Sequence, residues 1–161
     1  MIVSFLGIII TLLSGFAAAV DNTDYASGSG ASIVAVAVQE IGYHEGAGNH
    51  TKYGVYTGTD GMSWCHAFVS WCANECGFIE SNIIPKTAAC ETGRQWFIQK
   101  QQYQKAGSYT PQAGDIIYFD KGGVGESHHV GIVEYVENGI VHTIEAVSYT
   151  HLRAHETLRH L

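Results

Sequence analysis

The chain has 161 residues, 46% of them hydrophobic, which suffices for one globular domain with a real core and is short for two. Eight Lys and Arg stand against fifteen Asp and Glu, a net charge of −7. That balance excludes nucleic acid as a partner, because phosphate contacts need a basic surface, and it gives no electrostatic pull toward an anionic membrane or wall.

Residues 1–20 (MIVSFLGIIITLLSGFAAAV) contain no charged side chain. As a helix they would span about 30 Å, the hydrocarbon thickness of a bilayer. Two readings stay open. One is a signal peptide, for which Ala17-Ala18-Ala19 supplies a small-residue exit although no basic stretch precedes it; the other is a membrane anchor. Both place the domain outside the cytoplasm, secreted or anchored at the cell wall, with this segment as its membrane contact. Residues 21–30 (DNTDYASGSG) are small and polar and read as a flexible linker.

The domain is expected over residues 31–146. Residues 32–41 (SIVAVAVQEI) suggest a helix capped by Ser32 and stopped by Gly42, followed by a glycine-rich loop over 43–61. In the run from Trp64 to Cys76, Phe68, Val69, Cys72 and Cys76 make a helical stripe that Gly77 ends. A further short helix is expected over 91–101. The period then changes: 115–120 (DIIYFD), 129–136 (HVGIVEYV) and 140–146 (IVHTIEA) read as strands, with a glycine-rich loop over 121–127. Helices followed by an antiparallel meander predict an α+β fold with the helices packed on the sheet.

The tail 147–161 has neither strand alternation nor turn logic, and it concentrates His151, His155 and His160. Residues 147–157 resemble one reading frame of a transposase-type sequencing adapter. The tail is therefore expected to be non-native and outside the fold, with the domain's own C-terminal strands missing, and its histidines are discounted as ligands.

Three residues stand out chemically. Cys65 lies where a loop turns into a helix, and the free N–H groups and dipole of a helix start favour a thiolate and a developing oxyanion. A thiolate nucleophile needs an imidazole to hold the ion pair and protonate the leaving group, and a third group to orient that imidazole. His129 opens a strand and Glu145 lies on the next one. With a two-residue Asn138-Gly139 turn, 137 pairs with 140 and Glu145 points away from His129. With a three-residue turn over 137–139, 136 pairs with 140 and 131 faces 145, which leaves His129 one diagonal step away, about 7–8 Å between backbones. The triad is thus expected to require the three-residue, bulged turn.

Ser63-Trp64-Cys65-His66-Ala67-Phe68-Val69-Ser70-Trp71-Cys72, then 111–119 (PQAGDIIYF), then His129-Val130-Gly131-Ile132-Val133 and Thr143-Ile144-Glu145, resemble the successive motifs of the CHAP domain, a member of the NlpC/P60-type cysteine peptidases and amidases. The resemblance implies a papain-like fold with Cys65 as nucleophile, His129 as base and Glu145 as orienting acid. It implies hydrolysis of an amide bond in peptidoglycan, either between muramic acid and L-Ala or within the stem and cross-bridge peptides. The family often carries Gly-Asn after the acid; Ala146 and Val147 stand there in this chain. His128 is the competing histidine, and the motif frame favours His129. Trp64 is expected to wall the cleft, and Tyr53 and Tyr56 either line it or pack. Some members bind calcium through an Asp-rich loop before the cysteine; here that loop offers only Asp60, so no metal and no cofactor are expected.

Two other readings remain. One is a non-catalytic wall-binding or assembly module of a conjugation or phage-derived machine. The other is a Cys/His metal protein, which would need His66, Cys72 and Cys76 to converge; no CxxC pair occurs, and a six-residue step from His66 to Cys72 does not keep one helical face. A Cys76–Cys90 disulfide stays open for a protein outside the cell.

Overall fold

A computed structural model describes residues 2–3, 30–120, 125–147 and 151–157. Of the segment over 1–20, read above as signal peptide or anchor, all but residues 2–3 lies outside the described residues, as does the linker over 21–30 apart from Gly30. Among the described residues, no helix is long and apolar enough to cross a membrane.

The elements run β1 (Ile2–Val3), α1 (Gly30–Gln39), α2 (Lys52–Thr57), α3 (Cys65–Glu75), α4 (Cys90–Gln99), β2 (Tyr103–Gln104), β3 (Ile116–Asp120), β4 (Ser127–Glu137), β5 (Ile140–Val147) and β6 (His151–Thr157). The strands form one sheet in the order β2-β1-β3-β4-β5-β6, with every pairing antiparallel. This is the α+β layout expected from the order of sequence patterns. Helix α2 is an addition, lying within the stretch read as loop. Its local signals are sound: Thr51 caps it by accepting from the Gly54 N–H at 2.9 Å, and Gly58 closes it in the left-handed conformation. The surrounding glycines masked them.

Helix α3 is the centre of the molecule. Cys65 to Ser70, Cys72 and Ala73 are all buried, so the helix is enclosed on nearly every side rather than along one stripe. Ala67, Phe68, Val69 and Cys72 join Ile116, Tyr118, Val130, Ile132 and Ile144 of the sheet in the main core. Ile117, Val133 and Val141 form a smaller second cluster. A buried helix must satisfy its polar side chains internally. His66 does so fully: its Nδ1–H donates to the Thr87 carbonyl at 3.0 Å, and its Nε2 accepts from the Tyr118 hydroxyl at 2.8 Å. Gly93 of α4 makes room for this contact, since a Cβ there would lie 1.9 Å from His66 Nε2.

The β4–β5 hairpin decides how the candidate triad is assembled. Glu137 pairs with Ile140, so the turn is the two-residue Asn138-Gly139 form, with φ of 51° and 77°. Two left-handed residues are what a type I′ turn requires. The expected three-residue turn is therefore corrected. Val136 pairs with Val141 and Tyr135 with His142, but the register then shifts, and Val133 pairs with Thr143, Ile132 with Ile144 and Gly131 with Glu145. Glu134 is the surplus residue, a β-bulge inside the strand. The one-residue correction that the triad needs is thus made inside the strand, four residues before Asn138.

His151–Thr157 pairs along β5 as strand β6. Backbone N–H and C=O groups on the open edge of β5 accept any extended segment, whatever its side-chain pattern.

Since the bulge takes up one surplus residue, deletion of Glu134 is expected to leave a regular hairpin with Gly131 still opposite Glu145. Cross-strand nuclear Overhauser contacts between Gly131 and Glu145 check this; their replacement by contacts between Ile132 and Glu145 would refute it.

Candidate active site

Cys65 is the first residue of α3, and Trp64 at the N-cap supplies no side-chain acceptor to the helix start. The positive end of the helix dipole is therefore set beside the thiol. Across from it stands His129, near the start of β4. The two side chains interact, and Nε2 of His129 donates to Glu145 Oε2 at 2.8 Å. The diagonal step across the hairpin thus does bring the imidazole and the carboxylate together. His128 is exposed, as strand alternation requires of a residue next to one that faces the site.

Gly131 explains how Glu145 reaches His129. It is the direct cross-strand partner of Glu145, and a Cβ there would lie 2.8 Å from Glu145 Cγ. The missing side chain lets the Glu145 stem lie across β4 toward His129. The other carboxylate oxygen, Oε1, accepts from the Thr143 hydroxyl at 2.5 Å. Thr143 escaped the sequence reading, though it sits two residues before Glu145 and so shares its face of β5. On the far side, Phe119 stacks on the His129 ring with centroids 5.6 Å apart. Ser127 ties the same strand end down: its hydroxyl donates to the His129 carbonyl at 3.0 Å, and its N–H donates to Glu91 of α4 at 2.7 Å.

The two inward histidines differ sharply in charge. Burial opposes the imidazolium of His129, but the hydrogen bonds and charges of Cys65 and Glu145 outweigh it and raise its pKa to about 9. Burial dominates at His66, whose partners are neutral, and lowers it to about 4. At neutral pH the first is a cation and the second is not. Both ring nitrogens of His66 are occupied by Thr87 and Tyr118, which removes it as a metal ligand. Among the described residues, no cluster of His, Cys, Asp and Glu is arranged to hold a metal. Asp60 bonds His50 Nδ1 at 2.8 Å and the Thr51 N–H at 2.9 Å, in a role that secures the start of α2.

Cys65, Cys72, Cys76 and Cys90 form no disulfides. Burial above all raises the pKa of Cys72 and Cys76 and brings Cys90 to about 12. These three therefore remain protonated, and Cys76 and Cys90 are not joined.

Trp64 and Tyr53 are 1% and 0% exposed and stack on each other in the core, centroids 5.3 Å apart. Trp64 Nε1 donates to Glu45 and the Tyr53 hydroxyl donates to Glu40 at 2.6 Å, so their polar ends are satisfied by the protein. Tyr56 donates to Asn74, nine residues along α3 from Cys65 and so about 13 Å away along the helix axis. Trp64 and Tyr53 are thus part of the core, and Tyr56 is bound through its hydroxyl to α3. An aromatic next to a nucleophile at the start of a central helix is drawn into the core by the area it buries.

Two outcomes follow from this geometry. Gly131→Ala is expected to leave the fold intact, because the flexible Glu145 side chain can yield, but to displace its carboxylate from His129; a crystal structure of the variant with the His129–Glu145 bond still at 2.8 Å would refute the idea. His129 is raised above its ordinary 6.5, so its ion pairs stabilise the fold fully below pH 6.5 and that contribution fades as pH climbs to about 9. Histidine ring-carbon NMR should show a midpoint near 9, and the stability advantage over His129→Gln should shrink across the same interval.

Comparison with known families matches a model of the CHAP domain to residues 57–147, more than half of the chain. No curated protein and no solved structure gave a significant match. CHAP domains are typically hydrolases that act on peptidoglycan as amidases or peptidases, on a papain-like α+β fold. The matched span takes in Cys65, His129, Glu145 and the hairpin that joins the last two, and this chain belongs to the CHAP domain family.

Proposed function

We propose that the protein cleaves an amide bond of peptidoglycan by a Cys-His-Glu thiolate mechanism, as an N-acetylmuramoyl-L-alanine amidase or an endopeptidase. The observation that carries this reading is the continuous line from Cys65 through His129 to Glu145, with the His129–Glu145 bond at 2.8 Å and Cys65 at the head of α3. In this reading the Cys65 thiolate adds to the amide carbonyl, and the oxyanion forms against N–H groups at the start of α3. The His129 imidazolium gives its proton to the departing amine. The resulting thioester is then hydrolysed by a water that His129 deprotonates. Glu145 stays ionised throughout and keeps the ring aimed.

The pH behaviour supports these roles. A histidine raised to about 9 still holds its proton at neutral pH, the form needed to pair with a thiolate and protonate a leaving group. A non-catalytic wall-binding module would have no use for a buried, hydrogen-bonded carboxylate behind a histidine. Peptidoglycan lies outside the cytoplasmic membrane, so the proposed site of action is extracytoplasmic, in keeping with the apolar segment over 1–20.

Incubation with purified sacculi should release new amino termini, and mass analysis of the muropeptides identifies the bond. Cys65→Ala is expected to abolish that release, and Glu145→Gln to reduce it by about two orders of magnitude or less. Undiminished release by Cys65→Ala would eliminate the mechanism.

A further inference from the structure

The two oxygens of Glu145 are held by different neighbours. Oε2 receives the His129 Nε2–H at 2.8 Å, and Oε1 receives the Thr143 hydroxyl at 2.5 Å. Thr143 is completely buried, two residues before Glu145 on β5, so both side chains leave the same face of the strand. Glu145 is itself only 7% exposed, and Gly131 lies directly beneath its stem. The terminal torsion of a glutamate is broad and roughly two-fold, so a carboxylate held through one oxygen keeps considerable freedom to swing. Hydrogen bonds to both oxygens, over a stem seated on a glycine, remove that freedom.

We infer that Thr143 is a positioning residue for the hydrolysis proposed above, its hydroxyl fixing the Glu145 carboxylate in the orientation that keeps His129 aimed at Cys65. This inference rests on the reading of the site as a cysteine hydrolase. Threonine suits the place for a physical reason. Its β-branched side chain is stiff at χ1, so the hydroxyl arrives already directed, while the methyl group fills the buried strand surface. Valine keeps that shape and removes only the hydroxyl; serine keeps the hydroxyl and removes only the methyl. Thr143→Val removes the donor that anchors Oε1 and so frees the Glu145 carboxylate to turn away from the imidazolium.

The test compares wild type, Thr143→Val and Thr143→Ser in the full chain, on two readouts. The first is the rate of new amino termini from purified sacculi, at saturating and sub-saturating sacculi. Thr143→Val should lose about tenfold in kcat with KM little changed, and Thr143→Ser should recover most of it. The second is the His129 midpoint by histidine ring-carbon NMR, which needs no activity. It should fall below the wild-type value of about 9 in Thr143→Val, and the basic limb of the rate profile should move down with it; Thr143→Ser should restore both. A Thr143→Val protein with wild-type rate and midpoint overturns the inference. So does a folded Thr143→Ser protein as impaired as Thr143→Val with the His129 midpoint unmoved, since that marks a packing role alone. Should Thr143→Val not fold, Thr143→Ser decides: a near-wild-type rate and midpoint support the hydroxyl's role, and loss of both with the fold intact refutes it. Wild type that releases no termini would remove the hydrolase reading instead, and the His129 titration would still decide whether Thr143 orients the pair.

Discussion

Strand alternation is the constraint on which the candidate site depends. Successive side chains of a strand point to opposite faces, so a one-residue slip carries a whole strand's side chains to the wrong side. His129 and Glu145 lie on adjacent strands joined by a tight two-residue turn, and counting back from that turn would place them on opposite faces. The bulge at Glu134 absorbs one residue and restores Gly131 opposite Glu145. Everything downstream follows from that pairing. Glu145 can cross to His129 because the residue beneath it is glycine, and Thr143 can hold the other oxygen because it shares the face.

Burial and partner charge together separate the chemistry of two histidines within one small core. Both lose solvation, which disfavours the imidazolium in each case. His66 meets a carbonyl and a phenol, neither of which offsets that loss, and it stays neutral and fixes α3 to Tyr118. His129 meets Cys65 and a carboxylate, whose charges favour the cation and win over burial. Placement next to Cys65 in sequence, which His66 has, counts for less than what each ring touches.

Helix α3 serves as the fixed frame. Aromatic residues gather around its start: Tyr53 stacks on Trp64 and meets Phe68 and Trp71 edge-on, each pair contributing about 0.5–1.5 kcal/mol beyond its buried area. Lys52 lies 4.1 Å above the Trp71 ring while bonding Glu40, which joins α1 to α2 across the same cluster. Tyr53 and Trp64 are therefore part of the packing that holds the helix of Cys65 in place.

The sequence by itself determined the fold class, the helix that begins at Cys65, the strands that carry His129 and Glu145, and the choice of His129 over His128. Those depend on local periodicity and on motifs that are contiguous in the chain. It also contained, unread, the cap that starts α2 at Thr51 and the parity that places Thr143 beside Glu145. Only the tertiary structure decided where the register correction falls, which aromatics are buried, and that Gly131 is the space through which Glu145 passes. A bulge leaves no fixed residue signature, because it is settled by the competition between a turn that wants two left-handed residues and a face that must bury Val133 and Ile144 on the correct sides of the sheet. Local chemistry names the groups of the triad; the sum of pairings along both strands decides that they meet.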